Sequence, residues 1–157
     1  MTTSTNTTTA PALVDVRGPR FAAWVTTAVL IVVLVISGFS TVGATVLLAL
    51  QAVVFAIGAR RGPRQHPYGL IFAKLVAPRL SPVSEREPVP PLKFAQLVGF
   101  GFAVVGVAGF AFGAPLLGTI ATAFALFAAF LNAAFGICLG CQLYPLVARL
   151  RPAPATT

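Results

Sequence analysis

Acidic side chains are almost missing from this chain. Asp15, Glu85 and Glu87 are the only three among 157 residues. None lies in a long apolar run, which excludes the paired intramembrane carboxylates of an ion pump or proton-coupled transporter. Histidine occurs once, at His66, and cysteine twice, at Cys138 and Cys141. No Ser-His-Asp set, phosphate-binding loop, pair of haem ligands or other cofactor motif can be assembled, so no cofactor is expected. Two cysteines three residues apart do not make a disulfide scaffold either, because so short a loop restrains little of the unfolded chain.

Charge of any sign is scarce. Charged residues are 9% of the chain and hydrophobic residues 57%, against about 25% and roughly half in soluble domains. Too little polar surface exists to cover a water-soluble domain of this length, and a mean hydropathy of +0.92 points to a bilayer as the solvent. The formal charge is nevertheless +8, from 11 Lys and Arg. These cluster between apolar runs, a pattern that fits anionic lipid headgroups and topology control. No basic–aromatic reader module is present, so nucleic acid is not expected as a partner.

Taken in order, Met1–Leu13 is uncharged and rich in Thr, Ser, Ala and Pro, and is expected to be a disordered tail. No charge occurs from Phe21 to Ala59, a run of 39 residues. One span needs about 20, so the run predicts two helices, at about 21–37 and 44–59, turning at Gly38–Gly43. A cleaved signal peptide is the competing reading of the first span. Its apolar region is too long for that, and a second span follows at once. A second charge-free run, Phe94–Ala148, predicts spans at about 94–112 and 116–135, turning at Gly113-Ala-Pro115. The expected fold class is therefore an all-α membrane protein, with four transmembrane helices arranged as two hairpins in one domain over residues 14–151. A short tail follows at 152–157.

Between the hairpins, Arg60–Lys93 carries seven Lys and Arg and seven prolines. Within it Tyr68–Pro78 is apolar but too short to span. It is expected to lie in the interface as an amphipathic helix, with Lys74 and Arg79 reaching lipid phosphates. Arg60, Arg61, Arg64, Lys74 and Arg79 are the candidates for contact with lipid or a partner. With four spans, all 11 basic residues fall on one side. The positive-inside rule then places both termini and the central segment in the cytoplasm, and the chain as a multi-pass protein of the plasma (inner) membrane.

Cys138 and Cys141 are the candidate chemical groups. Three residues apart on a helix, they are neighbours. A vicinal dithiol can exchange with another protein's disulfide, or give two ligands to a soft metal, with His66 as a remote third. Equally, two free cysteines can simply pack as small apolar residues. One objection concerns the dipole: the pair follows the C-terminal end of a span, where thiolate is disfavoured. Gly136 and Gly140 can remove that objection by breaking the helix, with Tyr144-Pro145 opening a new one, and Arg17, Arg20, Arg149 or Arg151 can add positive charge. At the cytoplasmic face the pair is expected to rest as a dithiol. Asn132 and Gln51 and Gln96, inside spans, read as interhelical hydrogen-bonding groups. His66 reads as a solvated loop residue. The small residues of the third span, from Ala95 to Gly109, read as its contact with the fourth.

Val14-Asp-x-Arg17-Gly-x-Arg20-Phe21, the His66-Pro-Tyr68 loop and Phe135-Gly-Ile-Cys138-Leu-Gly-Cys141-Gln-Leu-Tyr144 together resemble a family of small, largely actinobacterial integral membrane proteins, domain of unknown function 4395. The likeness covers about residues 14–150. It implies four spans and no established activity. It also implies thioredoxin-like or rhodanese-type sulfurtransferase proteins as partners, which favours thiol or sulfur chemistry at Cys138 and Cys141.

Overall fold

A computed structural model describes residues 10–151. Of the tails expected at 1–13 and 152–157, residues 1–9 and 152–157 lie outside the described residues. The elements are strand β1 (Leu13–Asp15), helices α1 (Arg17–Ser37), α2 (Thr41–Arg61) and α3 (Pro67–Ile71), strand β2 (Arg86–Pro88), and helices α4 (Val89–Ala111), α5 (Pro115–Phe135) and α6 (Leu139–Leu150). Helices α1, α2, α4 and α5 are each long and apolar enough to cross a membrane. They form two hairpins packed as a four-helix bundle, in which α2 lies mainly on α4, and α5 on both α1 and α4.

Local chemistry accounts for the turns. Ser40 caps α2, its side chain accepting the Gly43 N–H at 3.0 Å. Gly113 turns the second hairpin at φ +80°, a conformation that side chains with a Cβ resist, and Pro115 opens α5 at a position where no N–H is needed. The core between the helices joins Leu30 and Val33 of α1, Leu48, Ala52 and Phe55 of α2, Ala103 and Phe110 of α4, and Ala125 of α5. Large side chains such as Val35, Leu50, Phe124 and Phe127 face outward. In water that surface would be a severe aggregation hazard; in hydrocarbon it is the solvated face.

The small residues of α4 meet α5, as the sequence suggested, and α2 as well. A Cβ on Gly106 would meet Leu48 of α2 at 2.6 Å, and one on Gly99 would meet Phe55 at 2.9 Å. Gly106 also faces α5, where the same Cβ would lie 3.2 Å from Thr122 Oγ1, and Gly109 presses on the backbone of Gly118. Gly99 therefore serves α2, Gly109 serves α5, and Gly106 serves both.

Strand β1 pairs antiparallel with β2, in the register Leu13↔Pro88, Val14↔Glu87 and Asp15↔Arg86. Leu13, which composition assigned to the N-terminal tail, is thus part of a strap. Arg17 extends it, pairing with Asp15 at 2.8 Å and donating to the Ser81 carbonyl at 3.0 Å. Asp15 in turn accepts the Arg17 N–H at 3.0 Å and so satisfies a free donor at the start of α1. The guanidinium of Arg17 holds the Asp15 carboxyl below its ordinary value. The strap ties the N-terminal lead-in to the central segment, so α1 and α4 start at the same end of the bundle. The segment read as one interfacial helix is helical but broken. It runs as α3, a π-helical turn at Phe72–Val76 and a 3-10 turn at Ala77–Arg79, anchored by buried Phe72. Pro78 and the residues beyond it prevent a continuous helix.

Candidate functional site

The cysteine pair sits where α5 stops. Gly136 takes the left-handed conformation at φ +70°. Its N–H reaches the Asn132 carbonyl at 3.1 Å, and the Ile137 N–H reaches that of Leu131 at 3.2 Å, closing α5. The backbone is extended at Cys138, and α6 begins at Leu139. Cys138 is the N-cap of the new helix and Cys141 lies in its first turn. The Sγ of Cys138 accepts the Cys141 backbone N–H at 3.2 Å. The two residues are joined in a disulfide, with Cα atoms 5.2 Å apart.

This geometry reverses the dipole objection. The pair sits at an N-terminus, where unpaired N–H groups and the positive end of α6 favour thiolate. Gly136 makes the break as expected, but the new helix begins six residues before Pro145. Pro145 lies inside α6, and its missing N–H leaves the Cys141 carbonyl without its usual helical donor. Added positive charge is not needed. Arg17 is held by Asp15, and Arg20 donates to the Ala133 carbonyl at 3.3 Å, at the end of α5. Arg149 is in the last turn of α6, roughly 15 Å along the axis from the pair.

Gly140 fixes α6 in place. A Cβ there would lie 2.5 Å from the Cα and 2.6 Å from the Cβ of Ala95 on α4. Phe94 and Tyr144 add an aromatic contact across the same seam, with centroids 6.0 Å apart.

Beneath the pair is a cavity of about 390 Å³ between α1, α4, α5 and α6. Cys138, His66, Gln96 and Asn132 all contribute to its wall. On a continuous helix Asn132 and Cys138 would occupy different faces; the break at Gly136 brings both to one cavity. Among the described residues, no hydrogen bond ties Asn132 to another helix through its side chain.

His66 is not a solvated loop residue. It is 2% exposed, at the start of α3, and packs over Gly58 of α2 and beside Gln96 of α4. Tyr68 lies edge-on to its ring at 5.1 Å and donates to Gln51 Oε1 at 2.7 Å. Burial lowers the His66 pKa to about 4, although the Gln96 amide nearby works against that shift. The contact with Gln96 falls short of hydrogen-bond geometry. Both His66 nitrogens, Gln96 Oε1 and Gln51 Nε2 are buried without a hydrogen-bond partner among the described residues. Buried polar atoms in that condition are few in native proteins, and each calls for a reason. This convergence was not anticipated from the sequence. The available signal was two glutamines alone in apolar spans, facing a loop that carries the one histidine.

Arg60, Arg61, Arg64, Lys74 and Arg79 are all exposed. Arg64 donates to the Leu13 carbonyl at 2.9 Å and Arg79 to that of Leu75. None of the five has a carboxylate partner among the described residues. Among the same residues no three His, Cys, Asp or Glu side chains are grouped so as to hold a metal ion.

The model of a family described as domain of unknown function (DUF4395) matches residues 14–149. The chain belongs to that family. No curated protein and no solved structure matches it.

Proposed function

We propose that this membrane protein exchanges disulfides, or passes sulfur, with a thioredoxin-like or rhodanese-type partner through Cys138 and Cys141. The observation that carries the reading is the placement of Cys138 at the N-cap of α6, with its sulfur accepting the Cys141 N–H at 3.2 Å. That environment favours thiolate at Cys138, which on this reading makes the attack. In exchange, the Cys138 thiolate attacks one sulfur of the partner's disulfide and expels the other as thiolate. Cys141 then attacks Cys138 Sγ, releasing the partner reduced and leaving the Cys138–Cys141 disulfide. With a partner persulfide, Cys138 takes the terminal sulfur and the partner leaves as thiolate. Cys141 then closes the disulfide and expels sulfide. The basic residues support a plasma-membrane protein with both termini, the central segment and the cysteine pair at the cytoplasmic face. There a reduced partner pool returns the disulfide of the structure to the dithiol.

The test is a trap. Cys141→Ser, expressed in cells and quenched in acid, should hold a mixed disulfide with one predominant partner, while Cys138→Ser should hold none. Absence of any adduct from Cys141→Ser, together with a Cys138 thiol that titrates at or above about 8.5 like a free cysteine, sinks the reading.

A second reading, a non-enzymatic membrane subunit whose basic segment docks on anionic lipid or a partner, is supported by the five exposed cations without carboxylate partners. Replacing Arg60, Arg61 and Arg64 by Gln should weaken association of phosphatidylglycerol with the purified protein. At about 1 kcal/mol per basic residue near the surface, the expected loss is on the order of 100-fold, read by lipid retention in native mass spectrometry. Unchanged retention would remove the lipid role.

A further inference from the structure

We infer that the cavity beneath Cys138 takes the ring of a lipid-soluble quinone, which receives the electrons of the Cys138/Cys141 dithiol. The inference rests on the exchange reading above and names its electron acceptor.

Three observations converge on that ligand class. The first is position. The cavity extends from Cys138 and Asn132 at the end of the bundle down to Phe124 and Phe127, which are 58% and 57% exposed on the outer face of α5. From Phe124 to Asn132 the helix rises about 12 Å, so a molecule dissolved in the bilayer can enter at one end and meet the sulfur at the other. The second is size and lining. A volume of about 390 Å³ exceeds what a substituted quinone ring occupies, and most of the wall is Ala, Gly, Phe and Leu. The third is the polar end. His66 is almost wholly buried with neither nitrogen hydrogen-bonded, and Gln96 and Asn132 stand in the same wall. An imidazole N–H and two carboxamides are the donors that carbonyl oxygens need, in the cavity wall that Cys138 shares. An acyl chain would use none of them, and a water-soluble disulfide would have no use for the lipid-facing end.

The electron count closes. The Cys138 thiolate adds to the quinone ring; Cys141 attacks Cys138 Sγ, and the ring leaves with the electron pair as the hydroquinone anion. The two thiols supply the two protons. One dithiol becomes one disulfide and one quinone becomes one quinol. Exchange run in reverse restores the dithiol: a partner thiolate attacks the Cys138–Cys141 disulfide, the partner leaves oxidised, and its electrons pass into the membrane pool.

The experiment uses the full chain, reduced and then freed of reductant, in phosphatidylcholine–phosphatidylglycerol vesicles. The probe is decylubiquinone, whose fully substituted ring does not consume thiols by simple addition. Expected is one quinol formed and two thiols lost per chain, with neither event in Cys138→Ser or Cys141→Ser. Ala128→Trp, which fills the cavity midway along α5, should slow quinol formation at least tenfold while exchange with glutathione disulfide proceeds at the wild-type rate. His66→Leu should raise the quinone concentration giving half the limiting rate of quinol formation about tenfold, with a smaller change in that limiting rate, and Asn132→Leu should act in the same direction. Wild-type exchange with glutathione disulfide but no quinol, or quinol formation indifferent to Ala128→Trp, overturns the quinone inference and leaves the exchange reading standing. Failure of the dithiol to react with either oxidant overturns both.

Discussion

Gly140→Val will detach α6 from the bundle and slow exchange at the cysteine pair at least tenfold. The reason is backbone proximity. Even a methyl group at this position would lie 2.5 Å from the Cα of Ala95, and no rotamer change relieves a clash with main chain. Helix α6 must move out from α4, at about 1–3 kcal/mol by the usual scale for overpacked sites, or more for a β-branched side chain. Cys138 and Cys141 flank this glycine closely in sequence, so the displacement carries them away from the cavity wall and loosens the N-cap bond. Gly101→Ala on α4 provides the contrast. No atom lies within 4 Å of a Cβ there, and alanine is the better helix former by roughly 0.5–1 kcal/mol. Thermal unfolding in detergent should therefore fall for Gly140→Val and hold or rise for Gly101→Ala. Maleimide labelling of the reduced pair should change only in the former. Equal behaviour of the two variants would mean that α6 is not seated by Gly140.

Much of this architecture is legible in the chain because hydrocarbon leaves few options. A charge-free run of 39 residues ending at Ala59 must cross twice, as must the second run from Phe94 to Ala148, and Gly38 and Gly113 fall where those crossings have to turn. The cysteine site was legible only in part. Gly136 signals a helix end, but the position of the next start depends on which residue caps it. Cys138 does so with its sulfur, a role for which serine, threonine, aspartate and asparagine are the usual signals. Proline suggested a start at Tyr144-Pro145 because it is tolerated in a first turn. It is also accommodated inside an exposed amphipathic helix, where the freed Cys141 carbonyl can turn to solvent. The polar cluster was illegible for a different reason. Gln51, His66 and Gln96 come from three elements, and nothing in their spacing announces that α2, α3 and α4 meet over Gly58. Loop histidines are ordinarily solvated, so burial of His66 follows only from the tertiary arrangement. The strap was hidden likewise, since a three-residue strand ending in Pro88 has no periodic signature.

The buried histidine sets the second large effect, a loss of stability in mild acid. His66 titrates near 6.5 in the unfolded chain and at about 4 when folded, because burial opposes its charge. Between those values the unfolded chain binds the extra proton. Stability therefore falls as pH drops from 6.5 toward 4 and gains no further loss from this group below that. Each tenfold difference in proton affinity is about 1.4 kcal/mol, so the full window is worth a few kcal/mol, a large share of a typical margin. Two carboxyls act at the same end of the bundle. Asp15, held below its ordinary value by Arg17, withdraws stability only as pH falls through that depressed value, beneath the histidine window. Glu87, raised by burial, works in the opposite direction over the lower part of it. The His66 contribution is isolated by comparing wild type with His66→Phe, a variant that keeps an aromatic ring over Gly58 and cannot titrate. Unfolding midpoints in detergent should fall between pH 7 and pH 4.5 for the wild type and change much less for His66→Phe. Parallel profiles would place the imidazole in contact with water and remove it from the cavity wall.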